Sequence, residues 1–124
     1  MNNQLVKPVA EKEIKEAHFS MHPNKAAGPD STTPLFFQKF GHVIKLDIIN
    51  VVYSFFHCGI MLRSMNKTII SLIPKVDNPI NITQYMPISL CNVIYKIIAK
   101  ILANRLKYVL KVCISPTQNA FVPG

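Results

Sequence analysis

The chain has 124 residues, 49% of them hydrophobic and only 16% charged. That suffices for one small domain, leaves no room for a catalytic domain beside a separate substrate domain, and is too apolar for a chain disordered through lack of burial. Fourteen Lys and Arg against six Asp and Glu give +8, a field that favours polyanions, with phosphate backbones and anionic membrane surfaces as the usual candidates.

The charge is uneven along the chain. Five of the six acids lie at or before Asp47, whereas from residue 60 onward Arg63, Lys67, Lys75, Lys96, Lys100, Arg105, Lys107 and Lys111 face Asp77 alone, a net of +7. Three widely spaced cysteines, Cys58, Cys91 and Cys113, argue against a secreted disulfide framework and for free, mostly buried thiols in a reducing compartment. Residues 1–10 have no apolar core of signal-peptide length and are expected to be flexible, so an intracellular location, nucleus or cytoplasm, is expected. The longest uncharged stretch, 48–62, contains Asn50, Ser54, His57 and Gly59 and is shorter than the roughly 20 apolar residues of a membrane span. Nine prolines and the short length predict low stability in isolation.

Helical spacing of Ile14, Ala17, His18 and Met21 predicts a first helix over 9–21, ended by Pro23. The segment 24–31 carries Gly28-Pro29-Asp30 and predicts an irregular loop. Thr33-Pro34 has the form of an N-cap followed by Pro at the first helical position, opening a short helix through Phe40 that Gly41 would stop. Leu46, Ile49, Val52, Tyr53 and Phe56 predict a helix over 44–57 with Gly59 as its C-terminal stop. It is apolar nearly all round and wants burial on more than one side. The β-branched run 67–74 predicts a strand, 75–84 a loop, and 85–90 a returning strand in which Pro87 marks an edge or a strand start.

The clearest element is a helix over 92–112. At 100° per residue from Lys96, Lys107, Lys100 and Lys111 fall at about 20°, 40° and 60°, one narrow basic stripe. Ile94, Ile97, Ile98, Ile101, Leu102 and Val109 occupy the other side. A solvated face opposite a core face explains such a stripe, and so does phosphate contact; four lysines with no interspersed acid add weight to the second. Arg105 falls at about 180°, within the apolar side, where a charge needs a partner. An acid or carbonyl must supply it, with Asp30 a candidate.

No catalytic constellation is evident. Asp30, Asp47 and Asp77 are isolated in different elements, whereas two-metal chemistry needs converging carboxylates. His18 and His22 have the i, i+4 spacing of a metal pair but no third ligand. There is no Gly-x-Ser-x-Gly elbow, activated-cysteine context or Walker loop. No catalytic or metal-ligating residue is therefore assigned.

Five segments occur in a telling order: Asn24-Lys25-Ala26-Ala27-Gly28-Pro29-Asp30; Leu72-Ile73-Pro74-Lys75; Pro87-Ile88-Ser89-Leu90-Cys91-Asn92-Val93-Ile94-Tyr95-Lys96-Ile97-Ile98; Leu102-Ala103-Asn104-Arg105-Leu106; and Gln118-Asn119-Ala120-Phe121-Val122-Pro123-Gly124. Together they resemble the reverse transcriptase of non-LTR, LINE-type retrotransposons, especially the plant kind, over nearly the whole chain from Glu11 onward. The positions carrying family motifs include Gly28, Pro29, Asp30, Pro87, Ile88, Ser89, Arg105, Gln118, Phe121 and Gly124.

The resemblance implies a helix-rich α+β fold with a short antiparallel β pair and a long amphipathic C-terminal helix. Residues 1–124 would form a partial reverse-transcriptase domain, the fingers and start of the palm. In this family the metal-binding aspartates lie further downstream, and neither of their motifs occurs in this sequence. The match breaks off inside a motif at Gly124, which implies a truncated polymerase or a decayed element copy, inactive alone. Mg2+ is expected only for the full-length polymerase, with RNA template and DNA primer as its partners. Weak, nonspecific nucleic-acid binding is expected of this chain, and no membrane. Lys75, Lys96, Lys100, Lys107 and Lys111 are the expected nucleotide or nucleic-acid phosphate contacts; by the family's pattern Lys96 faces incoming nucleotide or template.

Three positions depart from the family: Met86 stands where Arg is usual, Ala27 where Pro is common and Ser31 where Gly is common. The competing reading is a small basic nucleic-acid-binding module without enzymatic activity, using the lysine stripe with Tyr95 or Tyr108. A translated remnant with no function of its own is the third. Either truncated reading predicts exposed apolar surface and aggregation.

Overall fold

The structure, a computed structural model, describes residues 2–115. Among the described residues five α-helices and one hairpin follow in the order α1 (Asn2–Val6), α2 (Glu11–Phe19), α3 (Pro34–Lys39), α4 (Gly41–Cys58), β1 (Thr68–Pro74), β2 (Tyr85–Cys91) and α5 (Val93–Cys113), with a single 3-10 turn at Ile82–Gln84 in the hairpin loop. This is the helix-rich α+β architecture the sequence predicts, down to the two-stranded antiparallel sheet and the long final helix.

The core forms where apolar stripes converge on α5. Val93, Ile94, Ile97, Ile98 and Ile101 of α5 are buried against Ile14, Ala17 and Met21 from the α2 region, Phe37 of α3, and Ile48 and Val52 of α4. Each fully buried aliphatic side chain contributes roughly 1.5–3 kcal/mol of transfer free energy. The isoleucine side of α5 is therefore covered within this chain. What stays uncovered is a strip from its middle to its end, where Leu102, Leu106, Tyr108 and Val112 are exposed.

Local chemistry sets most helix boundaries. Thr33 caps α3: its side-chain oxygen accepts from the Phe36 N–H, and Pro34 fills the first helical position, where a missing N–H costs nothing. Gly59 closes α4 in the left-handed region at φ 70°, donating its N–H to the Phe55 carbonyl. Gly41 does not act as the stop the sequence suggests. The break falls at Phe40, and Gly41 is the first residue of α4, so α3 and α4 are nearly continuous. Glycine is commonest just past a helix end but also occurs at helix starts, and a single position does not signal which.

The hairpin stands apart from the core. Its strands pair from Thr68↔Cys91 to Pro74↔Tyr85, with Leu72 opposite Pro87. Both are edge strands, which tolerates the N–H missing from Pro87. Most residues of β1 are exposed. An isolated two-stranded hairpin is marginal in water, and this one is held at its base, where β2 runs through Asn92 into α5. The loop between the strands is ordered by Gln84, whose Oε1 accepts from the N–H groups of Ile80 and Asn81.

Residues 2–10 contain α1 and are tied to α5 through Arg105, as described below. The expectation of buried thiols is overturned: Cys58 and Cys113 are exposed and Cys91 is half-buried, because Cys58 and Cys113 lie in the last turns of helices beyond the reach of the core. Among the described residues no helix is long and apolar enough to cross a membrane.

Candidate nucleic-acid interface

Helix α5 carries the basic stripe. Lys96 and Lys100 are half-buried at its base, and Lys107 and Lys111 are exposed. At 1.5 Å rise per residue the stripe extends about 22 Å from Lys96 to Lys111. Lys100, Lys107 and Lys111 make no ion pair or hydrogen bond among the described residues. Their charges are uncompensated locally, the condition under which a phosphate backbone displaces only water and counterions.

Lys96 differs. Its Nζ donates to the carbonyl of Ala26 at 2.7 Å, binding the start of α5 to the loop 24–31. Lys75 lies on the hairpin, its Nζ donating to the Thr83 carbonyl at 3.3 Å. The five lysines therefore divide into three on an open helical face, one under a loop and one on the hairpin.

The loop is fastened to the same helix start by Asn92. Its Oδ1 accepts from the Asp30 N–H at 3.2 Å, and its Nδ2 donates to the carbonyls of Ser64 and Met65. Asn92 is buried, so these bonds satisfy both ends of an amide that water cannot reach. Gly28 makes the close approach possible. A Cβ at that position would lie 2.5 Å from the backbone nitrogen of Asn92 and 2.6 Å from its Oδ1, closer than any real contact. Asp30 caps the turn locally, its Oδ1 accepting from the Thr32 N–H, and the Ser31 N–H donates to the Gly28 carbonyl. Ser31 sits at φ 60°, in the left-handed region.

Arg105, 5% exposed, does not use Asp30. Its Nε and Nη2 donate to the two carboxylate oxygens of Glu13 at 2.9 and 3.0 Å. Nη1 donates to the carbonyls of Leu5 and Lys7, and Nη2 also donates to that of Pro8. All five guanidinium N–H groups thus have acceptors, and the guanidinium carbon lies 5.5 Å from the Phe56 ring centroid. The Arg105 hydrogen bonds hold the Glu13 carboxyl below its ordinary range. Partial burial opposes this, while the Ala10 N–H and the charges of Arg105 and Lys7 add to it. Arg105 is a clamp between α5 and the amino-terminal segment, turned away from the lysine stripe.

The remaining motif positions are scattered. Pro87 and Ser89 are exposed on β2, Ile88 is half-buried, and Pro29 lies in the loop beside Gly28. Met86 is exposed opposite Ile73 and offers no cation. Gln118, Phe121 and Gly124 lie outside the described residues. Tyr108 is exposed and Tyr95 borders on exposure, neither within the stripe.

Two important residues were not picked out from the sequence. Glu13 is the Arg105 partner, and its only local signal is its place three residues after Ala10, whose N–H it accepts at the start of α2. Asn92 carries an N-cap signal, yet its side-chain partners lie 27, 28 and 62 residues away.

A separate apolar cleft of about 370 Å3 lies between α2, α3 and α4 and shares no residue with the stripe. His18 lines it, its Nε2 buried without a partner, and burial pushes the imidazole below its ordinary value. His22 is exposed and its Nδ1 accepts from the Asn24 N–H, so the two histidines do not form a pair. Among the described residues no three His, Cys, Asp or Glu side chains are grouped to hold a metal ion.

No family model matches the chain. It is similar to the transposon TX1 uncharacterized 149 kDa protein of Xenopus laevis, with 36% identity over 121 residues that cover 98% of this chain. The chain spans 9% of that protein's length. The similarity over nearly every residue supports a transposon origin for this polypeptide.

Proposed function

We propose that the chain is the fingers and start of the palm of a non-LTR retrotransposon reverse transcriptase, contributing phosphate contacts to RNA template and DNA primer and performing no catalysis by itself. The observation that carries the reading is the open row of Lys100, Lys107 and Lys111 on α5, in a chain similar over 98% of its length to a transposon protein. Each ammonium that meets a phosphate releases condensed counterions, which supplies sequence-independent affinity. The order of motifs around Gly28, Pro87-Ile88-Ser89 and Arg105 supports the polymerase assignment. Mg2+ would be held by carboxylates elsewhere in a complete polymerase; among the described residues no three His, Cys, Asp or Glu side chains are grouped to hold it.

The phosphate contacts of this reading are tested by binding of a labelled single-stranded RNA of about 20 nucleotides across a salt series. Three phosphate contacts predict a slope of log K against log[salt] of about −2. Replacing Lys100, Lys107 and Lys111 together with Gln should abolish most of that slope. An unchanged slope in the triple variant would reduce the stripe to a solvated face.

A second reading, a stand-alone basic binding module, is favoured by the core that α2, α4 and α5 close among themselves. It predicts a monomer with one sharp unfolding transition, whereas a polymerase part predicts self-association through its uncovered apolar surface.

A further inference from the structure

The geometry points to Lys96 as a positioning residue: its ammonium pins the loop 24–31 onto the start of α5, and the direct phosphate track on this helix is Lys100, Lys107 and Lys111. The inference rests on the nucleic-acid reading above and removes Lys96 from its contact set.

Three observations converge on the same few ångströms. The Lys96 Nζ donates to the Ala26 carbonyl at 2.7 Å, the shortest bond of the latch, a surface bond made by a half-buried residue. Asn92, one helical turn earlier, accepts from the Asp30 N–H and is buried. Gly28, between Ala26 and Asp30, packs so closely on Asn92 that no Cβ fits. The loop is thus held by its two ends and its middle, and Lys96 supplies the Ala26 end. A phosphate that drew the Lys96 ammonium off that carbonyl would leave a loop acceptor without its charged donor, so the bond holds Nζ against the loop. Lys100, Lys107 and Lys111 have no such bond among the described residues.

The two roles separate in two measurements. The first is the salt slope of binding to the same single-stranded RNA. It is preferred to affinity because loss of any positive charge weakens long-range attraction, whereas the slope counts phosphates directly neutralised. The second is the rate of limited tryptic cleavage after Lys25, an exposed residue at the edge of the pinned loop.

Lys100→Gln should flatten the slope by about 0.7 and leave cleavage unchanged. Lys96→Gln should leave the slope at the wild-type value and accelerate cleavage several-fold, and Lys96→Arg, which restores a cationic donor, should return cleavage towards wild type. Gly28→Ala breaks the latch while keeping the lysine. It should accelerate cleavage and, by releasing Lys96, steepen the slope by up to about 0.7. Should Gly28→Ala fail to fold, the two Lys96 variants decide the matter alone. A Lys96→Gln slope flattened as much as that of Lys100→Gln, or unchanged cleavage after Lys25, would overturn the inference. Wild-type binding without salt dependence would instead defeat the nucleic-acid reading, and the cleavage comparison would still test the pin.

Discussion

Arg105 was recognisable from the sequence as a problem: a charge in the middle of an apolar helix face must find partners. Which partners was not recognisable, because Glu13 lies 92 residues away and the carbonyls of Leu5, Lys7 and Pro8 carry no side-chain signal. With five bonds made in a buried site, Arg105→Ala should destabilise the fold by about 3–5 kcal/mol, since it strands Glu13 and the carbonyls. Arg105→Lys should recover only part of this, because an ammonium cannot reproduce the planar fork on a carboxylate. Chemical denaturation of the three proteins checks both. Acid should act on the same contact. The Glu13 carboxyl is depressed in the fold, so its stabilisation is complete above its ordinary value of 4.5 and is lost as pH falls through the lower folded value. His18, depressed by burial beside Phe19 and Phe37, has the same sign with an earlier onset, below 6.5. Glu11, Lys15, His42 and Lys45 line the cleft beside it. Stability against pH should therefore fall from about 6.5 and again below about 4.5, and His18→Leu should remove the first decline. Ser31 offers the opposite kind of change. At φ 60° it carries a backbone cost that glycine does not, so Ser31→Gly should be neutral or stabilising by up to about 1 kcal/mol, read as a shift in denaturation midpoint.

At the scale of elements, periodicity and turn chemistry located both longer amphipathic helices, the hairpin and the Thr33-Pro34 helix start within a few residues. These signals are local: a cap, a proline or a repeat of three and four acts within one turn of the chain. The misplacement at Gly41 has the same origin, since the distinction between ending α3 and starting α4 lies in how Phe37 and Ile48 reach a shared core. The assembly of the loop 24–31 on Asn92 could not be derived from spacing, although Gly28 carried a real requirement for the absence of a side chain. Ile97 is the test of the core itself. It is fully buried at the centre of α5, and Ile97→Ala should cost about 2–5 kcal/mol. A loss below 1 kcal/mol would mean that α5 is not packed as described.

Across the whole molecule, burial and exposure are unbalanced. Val43, Leu46 and Tyr53 of α4, Ile60 and Leu62 after it, Ile70 and Leu72 of β1, and Leu106 and Val112 of α5 are all exposed. The sequence indicated this excess because α4 is apolar nearly all round, and 124 residues cannot cover every side. Concentration-dependent self-association in light scattering is the expected result. Substituting Leu46, Ile70 and Leu106 with Ser should reduce it while each changes monomer stability by no more than about 0.5 kcal/mol, as expected for surface positions. A purely monomeric wild type at high concentration would favour the stand-alone module. The basic half remains available on α5 in either case, so binding of RNA alone does not decide between the two readings.

The polymerase assignment is tested most directly by transplantation. Residues 11–124 would replace the corresponding segment of a non-LTR reverse transcriptase of demonstrated activity, and DNA synthesis would be measured on a primed RNA template. Synthesis should exceed that of a host lacking the segment and fall when Lys100, Lys107 and Lys111 are changed to Gln. A correctly folded chimera, verified by its unfolding transition, that extends no primer would contradict it.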